Sequence, residues 1–268
     1  MEPALTPAAP HARRSLVPLL LFCLAAAPLL TGATCGANRT KNRDQALTHF
    51  DLGVQSMQNG DPRAAIVEFQ KAIEYDPELA VAHDALGQLY HLAFQQYDKA
   101  AEHYQKAVAL NPKFSEAYTN LGNLYQSQGR CAEAIPLYEK ALSDILYRTP
   151  YIAENNLGWC HYKLGDTQKG IDHIRSALVV NARFCLGYRN LGIIYSEIAQ
   201  PEKATDAFEK YARYCPDAAD ARHRYAVQLL RAGDQAGARR EFNACIEKGG
   251  DGTLADECRR LLGLLQRQ

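Results

Sequence analysis

The chain has 268 residues and equal numbers of basic and acidic side chains, 30 each. This balance, with no basic run to track phosphates, gives no electrostatic argument for a nucleic-acid partner, and none is expected. Abundant Ala and Leu with few β-branched runs favour helix throughout.

The first predicted element is a leader. Arg13 and Arg14 precede a nearly unbroken apolar stretch from Ser15 to Leu30, interrupted by Pro18 and Pro28. It is short and proline-broken for a membrane span, and small residues follow, so residues 1–34 are predicted to be a signal peptide. Cys35 comes next. A small-residue stretch ending at Cys resembles a bacterial lipobox, which implies acylation of the Cys35 thiol, for example by palmitate. The usual pattern has Leu three positions before the Cys and Gly or Ala just before it, where this chain has Gly32 and Thr34. The alternative is a soluble periplasmic or secreted protein cut after Ala27 or Ala33. Gly36 in place of Asp implies the outer membrane, periplasmic face, for the lipidated form. Residues 35–45 are then a polar, lipidated tether.

A period follows. Leu52-Gly53, Leu86-Gly87, Leu121-Gly122, Leu157-Gly158 and Leu191-Gly192 recur, with Tyr225-Ala226 as a degenerate sixth. Successive spacings are 34, 35, 36, 34 and 34 residues. A small residue opens each second helix: Ala65, Ala100, Ala134, Gly170, Ala204 and Ala238. Four positions later stand Phe69, Tyr104, Tyr138, Ile174, Phe208 and Phe242. Pro77, Pro112 and Pro216 close units. This pattern resembles the tetratricopeptide repeat (TPR). The resemblance implies an all-α fold: a TPR α-solenoid of six helix-turn-helix repeats over 46–250, plus a C-terminal capping helix. The repeats are 46–79, 80–114, 115–150, 151–184, 185–218 and 219–250. The second is lengthened around Phe94 to Tyr97 and the third around Tyr147 to Pro150. Pro136, inside the third repeat's second helix, is expected to kink that helix or move its start. Residues 251–268 carry Leu254, Cys258, Leu261, Leu262 and Leu265 on one helical face, as a terminal cap does.

Six cysteines lie beyond the tether, an even number that suits disulfides in an oxidising compartment. Repeat geometry pairs Cys131 with Cys160, Cys185 with Cys215, and Cys245 with Cys258. No Cys or His spacing suits zinc, and no catalytic or phosphate-binding motif occurs, so no metal, cofactor, small-molecule substrate or enzymatic activity is expected. His83 and His91 lie two turns apart on one helix, which points to groove lining rather than a metal.

In TPR folds the groove is lined by positions two, five, nine and twelve of each first helix. These give Leu47, Phe50, Val54 and Met57 in the first repeat, with Val81 next in the second. Trp159 and Tyr162 form a second patch in the fourth. The four first-repeat residues share one face and are expected to lie free of the helix-pair core, as a protein-binding site.

A lipobox-like leader before six repeats resembles the type IV pilus secretin pilotins of the PilF/PilW/Tgl kind. Glu154-Asn155-Asn156-Leu157-Gly158-Trp159-Cys160, Gly165-Asp166 and Ala177-Leu178 resemble that family's central segment, and Gly129-Arg130-Cys131-Ala132-Glu133-Ala134 resembles another. Thr119 stands where the family has a second Asn before Leu121. The resemblance implies a lipid-anchored outer-membrane scaffold that binds a secretin through its groove and promotes its multimerisation. The alternative is another envelope TPR adaptor, for polysaccharide export or outer-membrane protein assembly.

Overall fold

The computed structural model describes residues 31–265, with side chains from residue 41 onward. The chain divides into two units, Met1–Lys41 and Asn42–Gln268. Of the first, only helical backbone is described. Most of the expected signal peptide lies outside the described residues, and so does the side chain of Cys35.

Thirteen α-helices follow one another, and no strand occurs among the described residues. The first pairs are α1 (Thr31–Gln58) with α2 (Pro62–Tyr75), and α3 (Ala80–Gln88) with α4 (Tyr97–Leu110). The central pairs are α5 (Ser115–Ser127) with α6 (Cys131–Leu142), and α7 (Pro150–Lys163) with α8 (Thr167–Val180). The last are α9 (Cys185–Glu197) with α10 (Pro201–Tyr214), and α11 (Ala219–Arg231) with α12 (Gln235–Gly249), closed by α13 (Thr253–Leu265). The residues expected as a polar tether are helical, because α1 begins at Thr31.

Each turn inside a pair is built the same way. A left-handed residue ends the first helix, and the next N–H reaches back to a carbonyl of its last turn. Asp61 bonds Ser56 O at 2.9 Å, Arg130 bonds Tyr125 O at 2.9 Å, and Asp166 bonds His161 O at 2.9 Å. Gly60, Gly129, Gly165 and Gly233 supply the positive φ in four turns, but Gln95 and Ala199 supply it in the other two. Asp61 then caps α2 by accepting from Arg63 N and Ala64 N, with Pro62 in the first turn.

The lengthened repeats are accommodated differently. In the second, a π-helical turn over Leu89–Ala93 absorbs the extra residue, and Gln96 N reaches Tyr90 O at 2.8 Å. In the third, the loop after α6 buries Tyr147, whose hydroxyl meets Thr119 Oγ1 at 2.9 Å. The same loop leaves Ile145 and Leu146 96% and 80% exposed. Pro136 does not move the start of α6, which runs through it from Cys131 to Leu142.

The pairs close on glycine against aromatic rings. A methyl at Gly122 would stand 2.6 Å from the Tyr138 ring. The fourth pair replaces the ring with Ile174 and brings backbones together instead: a methyl at Gly158 would meet Gly170 O at 2.6 Å. Buried Ile174 and Ala177 fill the remaining space. The core is therefore a string of clusters shared by neighbouring helices, not one closed centre.

Candidate functional site

The first helices line one face, and the predicted site residues divide along it. Leu47 and Met57 are each 40% exposed. Phe50 and Val54 are half-buried against the cluster around Phe69, and the Phe50 ring centre lies 5.5 Å from that of Phe69. The expectation that all four lie free of the core is thus corrected. The stripe is wide enough that its inner half meets α2 while its outer half faces solvent. Val81 packs on a neighbouring cluster of Ala46, Ala72, Leu79 and Ala82.

Trp159 and Tyr162 do come together, ring centres 5.4 Å apart. Both are half-buried against the cluster spanning α8 to α11. The Tyr162 hydroxyl donates to Glu197 Oε2, which links the patch to α9. Burial and that carboxylate push the Tyr162 pKa up to about 12.

Between the two patches the face is polar and internally bonded. Asn120 Nδ2 donates to both oxygens of buried Asp84 at 3.0 and 3.2 Å, and Gln88 Nε2 donates at 2.7 Å. Burial raises the Asp84 pKa despite these donors. Asn156 Nδ2 donates to Asn123 Oδ1 at 2.7 Å, and Asn190 Nδ2 to Asn155 Oδ1 at 3.0 Å. The Gln88 bond lies within α3, whereas the Asn120, Asn156 and Asn190 bonds each cross from one repeat to the next and so fix the pitch of the groove. The sequence shows these residues but not their pairing, which depends on the rotation between repeats.

His83 and His91 do not converge. His83 Nδ1 lies 3.2 Å from His103 Nδ1, and its Nε2 lies 3.2 Å from Pro77 O. His91 Nε2 lies 3.3 Å from Ser127 Oγ. Among the described residues no group of three or more His, Cys, Asp or Glu is arranged to hold a metal ion. No described helix is long and apolar enough to cross a membrane.

The cysteines meet in three places. Cα–Cα separations are 5.0 Å for Cys131 and Cys160, 5.8 Å for Cys185 and Cys215, and 6.4 Å for Cys245 and Cys258. All three lie in the range a disulfide spans.

One further feature, a notch between α9 and α11, was not predicted. The groove rule of positions two, five, nine and twelve, extended to the last two repeats, would have found Ile193, Ser196, His223 and Val227, which line it.

Family models match this chain over three stretches: a TPR repeat over residues 94–129, and tetratricopeptide repeats over 114–180 and 46–79. The helix pairs within residues 46–79 and 94–180 match tetratricopeptide repeats, and the all-helical fold is that of a TPR α-solenoid. Among solved structures, the chain is similar to PilW, described as a widely conserved type IV pilus biogenesis factor. The identity is 23%, covering 79% of this chain and 97% of that one, with a TM-score of 0.71. It is similar to PilF of Pseudomonas aeruginosa at 21% identity, covering 83% and 99% of the two chains, TM-score 0.70. The Cut9–Hcn1 structure matches at 18%, covering 87% of this chain and 46% of that one, TM-score 0.70. At these identities the likeness is one of fold. A curated relative, a probable UDP-N-acetylglucosamine–peptide N-acetylglucosaminyltransferase SPINDLY of Hordeum vulgare, is 27% identical over 156 residues. That match covers 56% of this chain but only 13% of the relative's length.

Proposed function

We propose that this chain is an outer-membrane lipoprotein scaffold that binds a type IV pilus secretin and promotes its multimerisation. The observation that carries the reading is one of extent. This chain's repeats superpose on 97% and 99% of two pilus proteins, rather than on a fragment of a larger assembly. The lipobox-like residues before Cys35 and the close cysteine pairs fit the same envelope location. In this reading Cys35 carries the lipid on the periplasmic face, the three cysteine pairs are oxidised, and the groove holds an apolar or amphipathic secretin segment.

The test follows the exposure of the first repeat. Phe50 and Val54 support the core, so replacing them confounds binding with folding. Leu47 and Met57 do not. Each is already more than half covered, so its burial by a partner contributes up to about 1.5 kcal/mol, the lower end of the value for complete burial. The double variant Leu47→Ser, Met57→Ser is expected to keep its unfolding midpoint and cellular level while secretin multimers fall roughly tenfold or more. Full multimer formation by that variant would place the site elsewhere. Mass spectrometry of the mature chain checks the anchor and the bridges together: an acylated Cys35 terminus and three cystines are expected. An unmodified terminus at Pro28 or Thr34, or free thiols, would count against them.

A further inference from the structure

The last two repeats hold a notch of about 260 Å³ between α9 and α11. Its floor is apolar, made by Ile193, Phe208 and Val227. Its polar walls are of two kinds. Ser196 and Gln228 satisfy each other, Gln228 Nε2 donating to Ser196 Oγ at 3.1 Å while Ser196 donates to Gly192 O at 2.8 Å. His223, Arg224 and Arg231 retain unused capacity. His223 Nε2 is buried without a hydrogen-bond partner. Arg224 reaches Asp220 through Nε alone, at 2.9 and 3.0 Å, and its guanidinium lies 6.0 Å from the Phe208 ring centre. Arg231 is exposed and has no ion-pair partner among the described residues.

An arginine in a helix's last turn also suits the carbonyl end of that helix, so the charge of Arg231 alone indicates nothing. The combination does. An apolar floor and two guanidiniums with spare donors converge on one opening. The opposing charge is Glu197, whose Oε2 is already taken by the Tyr162 hydroxyl. That bond also joins the notch to the Trp159 and Tyr162 patch, so an elongated ligand in the groove passes directly from one to the other.

We infer that this notch is an anchor site for a protein segment in which an aliphatic side chain stands beside a carboxylate. The aliphatic group fills the floor over Phe208, and the carboxylate meets Arg231 and the free face of Arg224. The inference rests on the reading of the groove as a protein-binding surface and adds the chemistry of the bound segment. A cationic segment would face two guanidiniums, and a purely apolar one would leave both without a counter-charge.

The test uses the full chain with fluorescein-labelled, Gly-Ser-flanked peptides carrying Leu-Asp, Leu-Asn, Leu-Lys or Ser-Asp at the centre. Binding is read by anisotropy. Leu-Asp is expected to bind roughly tenfold tighter than Leu-Asn or Ser-Asp, with Leu-Lys weakest. Arg231→Gln, at an exposed position, is expected to fold normally and to equalise Leu-Asp and Leu-Asn while keeping the preference for Leu over Ser. The Leu47→Ser, Met57→Ser variant is expected to bind Leu-Asp as the parent does. Equal affinity for Leu-Asp and Leu-Asn in the parent, an undiminished Asp preference in Arg231→Gln, or no binding of any peptide would overturn the inference. Secretin assembly is read separately. A chain that shows the Leu-Asp preference yet leaves secretin assembly unsupported keeps the notch and overturns only the functional reading.

Discussion

Ala199 holds a position that four other repeats give to glycine. Its φ is 55°, and the following N–H, from Gln200, still makes the turn-closing bond to Tyr195 O at 2.8 Å. A left-handed backbone crowds Cβ against the carbonyl at a cost of about 1–2 kcal/mol, part of which glycine gives back through its more flexible unfolded chain. Ala199→Gly is therefore expected to stabilise the fold by about 0.5–1 kcal/mol, read from denaturant unfolding. Gly165→Ala, at φ 96° with open space around the added methyl, is expected to cost a similar amount. If both variants lose stability, something other than the φ requirement governs these turns. Gln95, at φ 53°, offers an independent repetition.

At the scale of elements, α3 and α4 are joined by a pair of imidazoles. His83 Nε2 faces a carbonyl and so carries the proton, which leaves Nδ1 to accept from His103 Nδ1. His103 also stacks on Tyr90, ring centres 5.5 Å apart. Burial lowers the pKa of both rings. Above the unfolded value of about 6.5 neither state takes up a proton and the pair contributes fully. As pH falls below it, through the lowered folded values, the unfolded chain binds more protons and stability declines. His103→Gln is expected to flatten this decline between about pH 7 and pH 5 without removing it, because His91 and His223 are lowered by burial too. Parallel declines in parent and variant would show that the pair is not the sensitive contact. The His83–His103 pairing was not legible in the sequence, although the helices were. The period of Leu-Gly and aromatic positions names every helix pair, because each glycine must face a ring or another backbone. What the period leaves out is rotation about each helix axis. That rotation decides that Phe50 turns inward while Leu47 turns outward, and that Asn155 reaches Asn190. It also assembles the notch from His223, Arg224 and Arg231, of which the groove rule marks only His223. The π-helical turn was equally hidden: an insertion shows in the count of residues, but its location depends on which turn can widen at least cost.

The whole molecule inherits its behaviour from neighbour contacts. Each core cluster joins consecutive helices, so stability is close to a sum over adjacent pairs, and a fault at one end need not travel. The C-terminal end tests this directly. Leu254, Leu261 and Leu262 of α13 pack against buried Ala226, Ala238, Phe242 and Cys245, and Cys258 and Leu265 are themselves buried there. Phe242 has no exposure while α13 is in place. Ending the chain after Gly252 uncovers that cluster and removes apolar burial on the order of 5 kcal/mol. Hydrogen exchange of the truncated chain is expected to show loss of amide protection in α11 and α12. Protection in α3 to α6, four helices or more away, should be unchanged. Exposed Phe242 and its neighbours should also drive concentration-dependent association, visible as a rising sedimentation coefficient. Loss of protection along the entire chain would instead mean that the repeats open as one cooperative unit. The ladder of side-chain bonds from Asp84 through Asn123 and Asn156 to Asn190 would then be the first candidate for what couples them, since it adds polar links between first helices to the apolar packing between repeats.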